Sequence, residues 1–355
     1  MFRKIEIFTK RYDELSKMLY DPAVASDNTR YTEIMKELRS IEPIVHTINE
    51  YKKAQTTIEE SLAILADVQG DEELKAMAQE ELDDAKKALP EIENELRILL
   101  LPKDPNDDKN VIVEIRAGAG GEEAALFAAV LYRMYTMYAA TQGFRCSLLN
   151  ENPTELGGYR QLAFQIEGDG AYSRFKYESG VHRVQRVPET ESQGRIQTST
   201  ATVAVLPEVE EVSIEINPAD LIFESCKSSG AGGQHINKTE SAVRLTHKPT
   251  GIVVECQEER SQFKNKDKAL KMLRAILYDR ASREQSEAIA FNRRQQVGTG
   301  DRSERIRTYN YRENRVSDHR IGLTLYSLDS FLNGDIGSMI DALATAETAE
   351  KLKNQ

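Results

Sequence analysis

Over the first hundred residues the apolar positions recur every three or four places. Leu15, Met18 and Leu19 are followed by Ile34, Leu38 and Ile41, the spacing of one face of an α-helix. The stretch Glu72–Leu101 is made largely of Ala, Glu, Leu and Lys, which lose little conformational freedom on entering a helix. Pro22 and the Gly70-Asp71 step interrupt the pattern, so about three helices are expected. They would form a projecting hairpin or bundle, suited to meeting a partner and equally to acting as a plain scaffold.

The polar, Pro-containing stretch Leu101–Asn110 ends that pattern, and a different one follows. Val111–Ile115 reads as a strand, the glycine-rich RAGAGGEEA as a turn, and Ala124–Ala140 as a helix. Further short β-branched runs lie at Gln161–Ile166, Val181–Val187, Thr200–Leu206 and Val212–Ile216. From Leu221 the pattern restarts. LIFES reads as a strand, SSGAGGQHINK as a loop, and AVRLTH with GIVVECQ as a hairpin. One long basic helix then runs from Ser261 to Arg294. A glycine-containing hinge at Val297–Asp301, a basic strand-loop segment and a terminal helix at Gly337–Lys353 complete the chain. The expected fold is therefore α+β and multidomain. It comprises a helical arm over 1–105, a central α+β domain over 106–220, a basic α+β domain over 221–300, and a segment 301–355 packing back on the central domain.

Composition narrows the function. Of 355 residues, 40% are hydrophobic and 30% charged, which suits a soluble globular protein. There is no apolar run of membrane-spanning length and no signal-peptide pattern at the N-terminus. The 3 cysteines are widely spaced, which points to reduced thiols in the cytoplasm rather than a disulfide framework or a zinc cluster. The net charge of -11 argues against a simple nucleic-acid binder. It is segregated, however. Residues 1–110 carry 16 basic and 25 acidic side chains, whereas 221–320 carry 20 and 13. One third of the chain can therefore meet a polyanion while the rest stays acidic.

The first glycine-rich turn, Gly118 to Gly121, sits between a strand and a helix, a context shared with dinucleotide sites. Its spacing is not G-x-G-x-x-G, and no Lys-Ser/Thr follows. Glu122 and Glu123 occupy the first helical turn. They complement the helix dipole and would repel a phosphate. No nucleotide or other cofactor is expected, although a nucleotide-dependent enzyme is the alternative that this turn alone suggests. A helix tip with bare backbone and a carboxylate can instead exchange hydrogen bonds with a neutral base.

In the second glycine-rich loop, Gly230, Gly232 and Gly233 leave the main chain almost unscreened before Gln234. A glutamine does not titrate, so it is no general acid or base. It can orient water, and its backbone N–H can donate to an oxyanion. Gly232-Gly233-Gln234, within the longer match from Ser228 to Gln262, resembles the Gly-Gly-Gln region of bacterial class I peptide chain release factors. The likeness also takes in RAGAGGEEAALFA, the helical arm and IRTYNYRENRVSDHRI. Family members that read UAA and UAG carry Pro-x-Thr in the middle domain. Here Pro188-Glu189-Thr190 stands within HRVQRVPETESQGRIQTST, and no Ser-Pro-Phe of the UGA-reading kind is found there.

The resemblance implies residue roles. Gly120 and Glu123 meet the first base of the codon, Thr190 the first and second, and Gln185 and Thr198 the third, with Pro188 and Glu189 framing Thr190. Proline fixes its own φ, and a threonine hydroxyl both donates and accepts. Gly232, Gly233 and Gln234 serve ester hydrolysis of peptidyl-tRNA, and Gln234 is the expected site of conversion to N5-methylglutamine by a glutamine methyltransferase. The implied partners are the ribosome at its decoding centre, peptidyl transferase centre and stalk base, the mRNA stop codon, peptidyl-tRNA, and a class II translational GTPase release factor. No metal and no membrane are implied. Two positions depart from the family pattern. Gln197 stands where a histidine usually stacks on the second base, and an amide stacks less well than an imidazole. Lys227 replaces a usual arginine, keeping the charge but losing the fork. The alternative within the family is a codon-independent ribosome-rescue hydrolase, which would need neither the tripeptide nor the arm.

Overall fold

The computed structural model describes residues 2–67, 72–102, 104–187, 194–209, 214–227 and 240–353. The chain divides into two compact units, Met1–Asp104 with Asp341–Gln355, and Pro105–Ile340. The sequence reading placed all of 301–355 with the central domain. In this division 301–340 fall in the larger unit, where three strands extend its sheet, and the terminal residues group with the helical unit instead.

In the helical unit, α1 (Phe2–Leu19), a short α2 (Pro22–Ala25), α3 (Asn28–Asp67) and α4 (Glu72–Leu99) follow in order. At 40 residues, α3 is roughly 60 Å long at 1.5 Å per residue. Its apolar stripe supplies two clusters. Ile34, Ile41 and Val45 close over Leu15 and Val24, while Ile44, Ile48 and Tyr51 close over Ile5, Leu96 and Leu100. The Arg11 guanidinium donates to both oxygens of Glu37, at 2.7 and 2.8 Å, tying α1 to α3. That pair holds the Glu37 carboxyl below its usual range.

The larger unit is built on an eight-stranded sheet. Its strands are β1 (Val111–Ala117), β2 (Arg145–Pro153), β3 (Tyr159–Glu167), β4 (Gly180–Arg186), β5 (Gln197–Pro207), β9 (Arg305–Asn310), β10 (Arg315–Asp318) and β11 (Leu323–Leu325). Their order is β11-β10-β9-β4-β5-β1-β3-β2. Every pairing is antiparallel except that of β4 with β9. Helix α5 (Glu122–Thr141) covers one face, burying Phe127, Leu131, Met134, Tyr135 and Tyr138. Alternate strand residues such as Val113, Ile115, Phe164, Val184, Val203 and Tyr309 are buried with them, as the period of two requires. The short helix α6 (Ala171–Phe175) follows β3.

Charge is also buried in this core. Arg307 donates to both oxygens of Glu178, at 2.6 and 2.9 Å, and to Asp318 at 3.2 Å. Tyr135 donates its hydroxyl to Glu178 at 3.0 Å. His182 is fully buried beside them. Its Nε2–H donates to the Glu178 carbonyl at 2.9 Å, and its Nδ1 accepts from the Tyr309 hydroxyl at 3.0 Å. Both ring nitrogens are thus satisfied in the neutral form. Burial, reinforced by the Arg307 charge, pushes the imidazole down from 6.5 to about 4.

This has a consequence for pH. Between those two values the unfolded chain binds a proton that the native ring does not. The contribution is complete above pH 6.5 and is lost as pH falls toward about 4, on the order of 3 kcal/mol in all. Glu178, lowered against its burial by the Arg307 charge, acts in the same direction at lower pH. Urea unfolding followed from pH 7 to pH 4 should show this loss, and His182→Gln should lose distinctly less. Equal slopes for the two proteins would refute it.

The second sheet of this unit has three strands, β6 (Leu221–Cys226), β7 (Ala242–His247) and β8 (Ile252–Cys256), in that order. Helix α7 (Gln262–Val297) lays Ala269, Leu273 and Leu277 against Val243, Leu245, Val254 and Cys256. The spacing of four keeps those three on one stripe. Further along, Gln296 caps β5 beyond the end of β4, accepting from Val205 N–H at 2.8 Å and donating to its carbonyl at 2.9 Å. After β11 come α8 (Leu328–Leu332) and the terminal α9 (Gly337–Lys353). Among the described residues no helix is long and apolar enough to cross a membrane.

Candidate functional site

Strands β4 and β5 run antiparallel to one free end, where Gln185 lies opposite Thr198 and Arg186 opposite Gln197. Neighbouring residues alternate between the two faces of the sheet. Gln185 and Thr198 therefore lie on the face away from α5, and Arg186 and Gln197 on the α5 face. The chain between these strands contains Pro188, Glu189 and Thr190, which lie outside the described residues.

The glycine-rich turn docks on the same end. Gly118 N–H donates to the Thr200 carbonyl and Thr200 N–H to the Ala119 carbonyl, each at 2.8 Å, and Ala119 N–H donates to Thr200 Oγ1 at 2.9 Å. Gly120 takes a φ of +138°, and any Cβ there would drive into Ser199. Only glycine allows this approach, and it brings the main chain of the turn to within one residue of Thr198. Gly121, at φ 62°, forms the N-cap of α5 without a side-chain bond.

Glu123 follows in the first turn of α5 and is buried. Its carboxylate is engaged twice by the Arg186 guanidinium, through Nε and through Nη2. Arg186 in turn lies 5.6 Å from the centroid of the Tyr311 ring, and the Tyr311 N–H donates to the Gln185 carbonyl at 3.1 Å. Burial raises the Tyr311 hydroxyl, and the Arg186 charge opposes the rise. Glu122 accepts a hydrogen bond from Thr154 Oγ1.

The structure thus brings Gly120, Glu123, Gln185, Gln197 and Thr198 to one end of one sheet. It also gives Glu123 a partner that sequence reading missed. The Glu123 carboxylate is spent on Arg186, so what the tip offers outward is main chain. The only signal for this in the sequence was an arginine directly after Gln185, which no motif distinguishes.

Gly232, Gly233 and Gln234 also lie outside the described residues. Their flanks are well held. Cys226 pairs with Ala242 at the end of the β6–β7 ladder, and Ser225 Oγ donates to Glu240 at 3.0 Å. Asn265 is fully buried at the start of α7. Its amide donates to the Ser241 carbonyl at 2.7 Å and to the Glu259 carbonyl at 2.8 Å, and its oxygen accepts from Glu259 N–H at 2.9 Å. A satisfied buried amide of this kind fixes the backbone it bonds. Among the described residues no group of His, Cys, Asp and Glu could hold a metal ion.

Residues 8–203 match the PCRF domain family and residues 210–320 the RF-1 domain family. Peptide chain release factor 1 of Carboxydothermus hydrogenoformans is 58% identical over 353 residues, covering 99% of this chain and 98% of its own. Peptide chain release factor 1 of Clostridium acetobutylicum is 56% identical with the same coverage. Among solved structures, RF2 of Thermus thermophilus is 35% identical and covers 95% of this chain and 93% of its own, with a TM-score of 0.48. With relatives this similar from end to end, helical unit, docked glycine turn and Gly-Gly-Gln segment included, the chain belongs to the peptide chain release factor 1 family.

Proposed function

We propose that this chain ends translation at UAA and UAG. The β4–β5 end with its docked helix tip inspects the codon, and the Gly-Gly-Gln loop promotes hydrolysis of the peptidyl-tRNA ester. The observation that carries the decoding half is the convergence of Gly120, Gln185 and Thr198 around the connection that holds Pro188-Glu189-Thr190. Gln185 and Thr198 each offer both a donor and an acceptor, so one site can pair with an adenine or a guanine edge. The Arg186–Glu123 pair holds the tip against the hairpin.

In the hydrolytic half, the Gln234 backbone N–H stabilises the tetrahedral oxyanion, and its side chain admits water while excluding bulkier nucleophiles. In this reading the loop acts within the ribosomal catalytic centre and not as a free-standing esterase. Membership of the family supports further partners: a methyltransferase acting on Gln234, a class II translational GTPase, and the ribosomal stalk base for the helical unit. The place of action is the cytoplasm.

The test is peptide release from ribosomes programmed with UAA, UAG, UGA or a sense codon. Release at the first two alone is expected. Release at the sense codon to the same extent would favour the codon-independent rescue reading instead.

A further inference from the structure

The sheet face away from α5 carries two arginines of an unusual kind. Arg183 is on β4 and Arg305 opens β9. In the parallel β4–β9 ladder Val181 stands beside Arg305 and Arg183 beside Thr308, with an irregularity between Val181 and His182 that absorbs the extra residue. Residues 181 and 183 share a face, so both guanidinium groups rise from the same side. The alternate residues His182, Arg307 and Tyr309 are buried on the other. Among the described residues the Nε of Arg183 and that of Arg305 are each buried with no acceptor, and no carboxylate pairs with either.

The two sense each other. Burial first, and then the Arg305 charge, lower the Arg183 pKa. His319 completes the group. Its backbone N–H donates to the Ile306 carbonyl at 2.8 Å, and its ring Nε2 lies 2.8 Å from the Thr308 hydroxyl. Burial, Arg305 and Arg183 all hold this imidazole toward its neutral form. The nearby acid, Asp318, opposes that shift, but its oxygens are already committed to Arg307 and Arg320.

Two like charges placed side by side and partly out of water cost stability unless something neutralises them. Their donors are forked, which suits two oxygens of one tetrahedral anion. We propose that Arg183 and Arg305, with Thr308 and His319 beside them, form an anion site that takes a phosphodiester group of RNA when the factor is bound to the ribosome. The identification of the anion as RNA rests on the proposed function. The site itself rests on the unpaired guanidinium groups.

The test uses the full chain and the variants Arg183→Gln, Arg305→Gln, the double Gln variant and the double Lys variant. In chloride, each Gln variant should melt no lower than the parent, because it relieves a repulsion. A purely structural role for these arginines predicts the opposite, and a clear fall in melting temperature would count against the site. Inorganic phosphate at matched ionic strength should raise the melting temperature of the parent and not that of the double Gln variant. Equal shifts in both would place the phosphate elsewhere and overturn the proposal. On ribosomes programmed with UAA, the double Gln variant should bind about ten-fold more weakly, with a salt slope shallower by about one. Its release rate at saturating factor should be unchanged, and the double Lys variant should recover part of the affinity. If the parent releases peptide normally and the double Gln variant matches its affinity and salt slope, the RNA assignment is wrong while the proposed function stands. If the parent releases nothing, the proposed function fails, and the phosphate-dependent melting alone decides the site.

Discussion

Gln234→Pro should abolish peptide release, while Gln234→Ala should only slow it. Proline removes both the carboxamide side chain and the backbone N–H; alanine removes the side chain and keeps the N–H, so the difference between the two variants reports on the N–H. If the oxyanion is held by the main chain, the first change deletes the stabilising donor outright. Loss of one such donor costs about 10²–10³ in rate, and the altered φ preference of proline adds to it. Single-turnover release at UAA with saturating factor is the measurement, accompanied by ribosome binding to show that both variants still dock. Equal release by the two variants would remove the backbone from the mechanism. A slow proline variant that also fails to bind would mean that loop shape, not the donor, had been lost.

The second large effect concerns stability. Glu178→Ala leaves Arg307 fully buried beside Asp318 alone and strips the Tyr135 hydroxyl of its acceptor. Removing one partner of a buried ion pair costs about 3–5 kcal/mol. Glu178→Gln should cost less, because its carboxamide oxygen still accepts from Arg307 or Tyr135. Urea denaturation should show the midpoint falling in the order parent, Gln, Ala. A loss below about 1 kcal/mol for Glu178→Ala, well short of that range, would mean that water or Asp318 replaces the carboxylate. Under the proposed function the damage should reach decoding as well, since Arg307 sits on β9, which pairs with the β4 strand that carries Gln185.

Much of this architecture was legible in the pattern of apolar positions. The helical unit, α5, the β7–β8 hairpin, α7 and α9 lie within a few residues of where periodicity placed them. Two segments differ, for opposite physical reasons. Strand β2 is exposed along almost its whole length at the sheet edge, so RCSLLNENP carries no alternation for a core to impose. Within the expected strand Val212–Ile216, the described residues 214–216 form no strand. Ile214 and Ile216 instead pack against the core beneath α7, and burial alone does not distinguish a strand from a packed connector.

The candidate site was half legible. Gly120, Glu123, Gln185 and Thr198 could be named from their motif, but the motif gave no partner for the Glu123 carboxylate. Its commitment to Arg186 depends on β4 and α5 being neighbours, a fact of tertiary structure. The same holds for Arg183 and Arg305. They are over a hundred residues apart in sequence and become adjacent only through the one parallel pairing in the sheet.

That pairing also dictates an order of events while the chain is being made. Strand β4 needs β9 as its neighbour, and β6, β7, β8 and α7 are all synthesised between them. Those elements share a buried cluster of their own and can pack together first. The eight-stranded sheet cannot make its β4–β9 pairing until the later strand exists. A nascent copy of this factor therefore completes the sheet that carries Gln185 and Thr198 only as β9 emerges, and any product truncated before β9 would leave β4 without that neighbour.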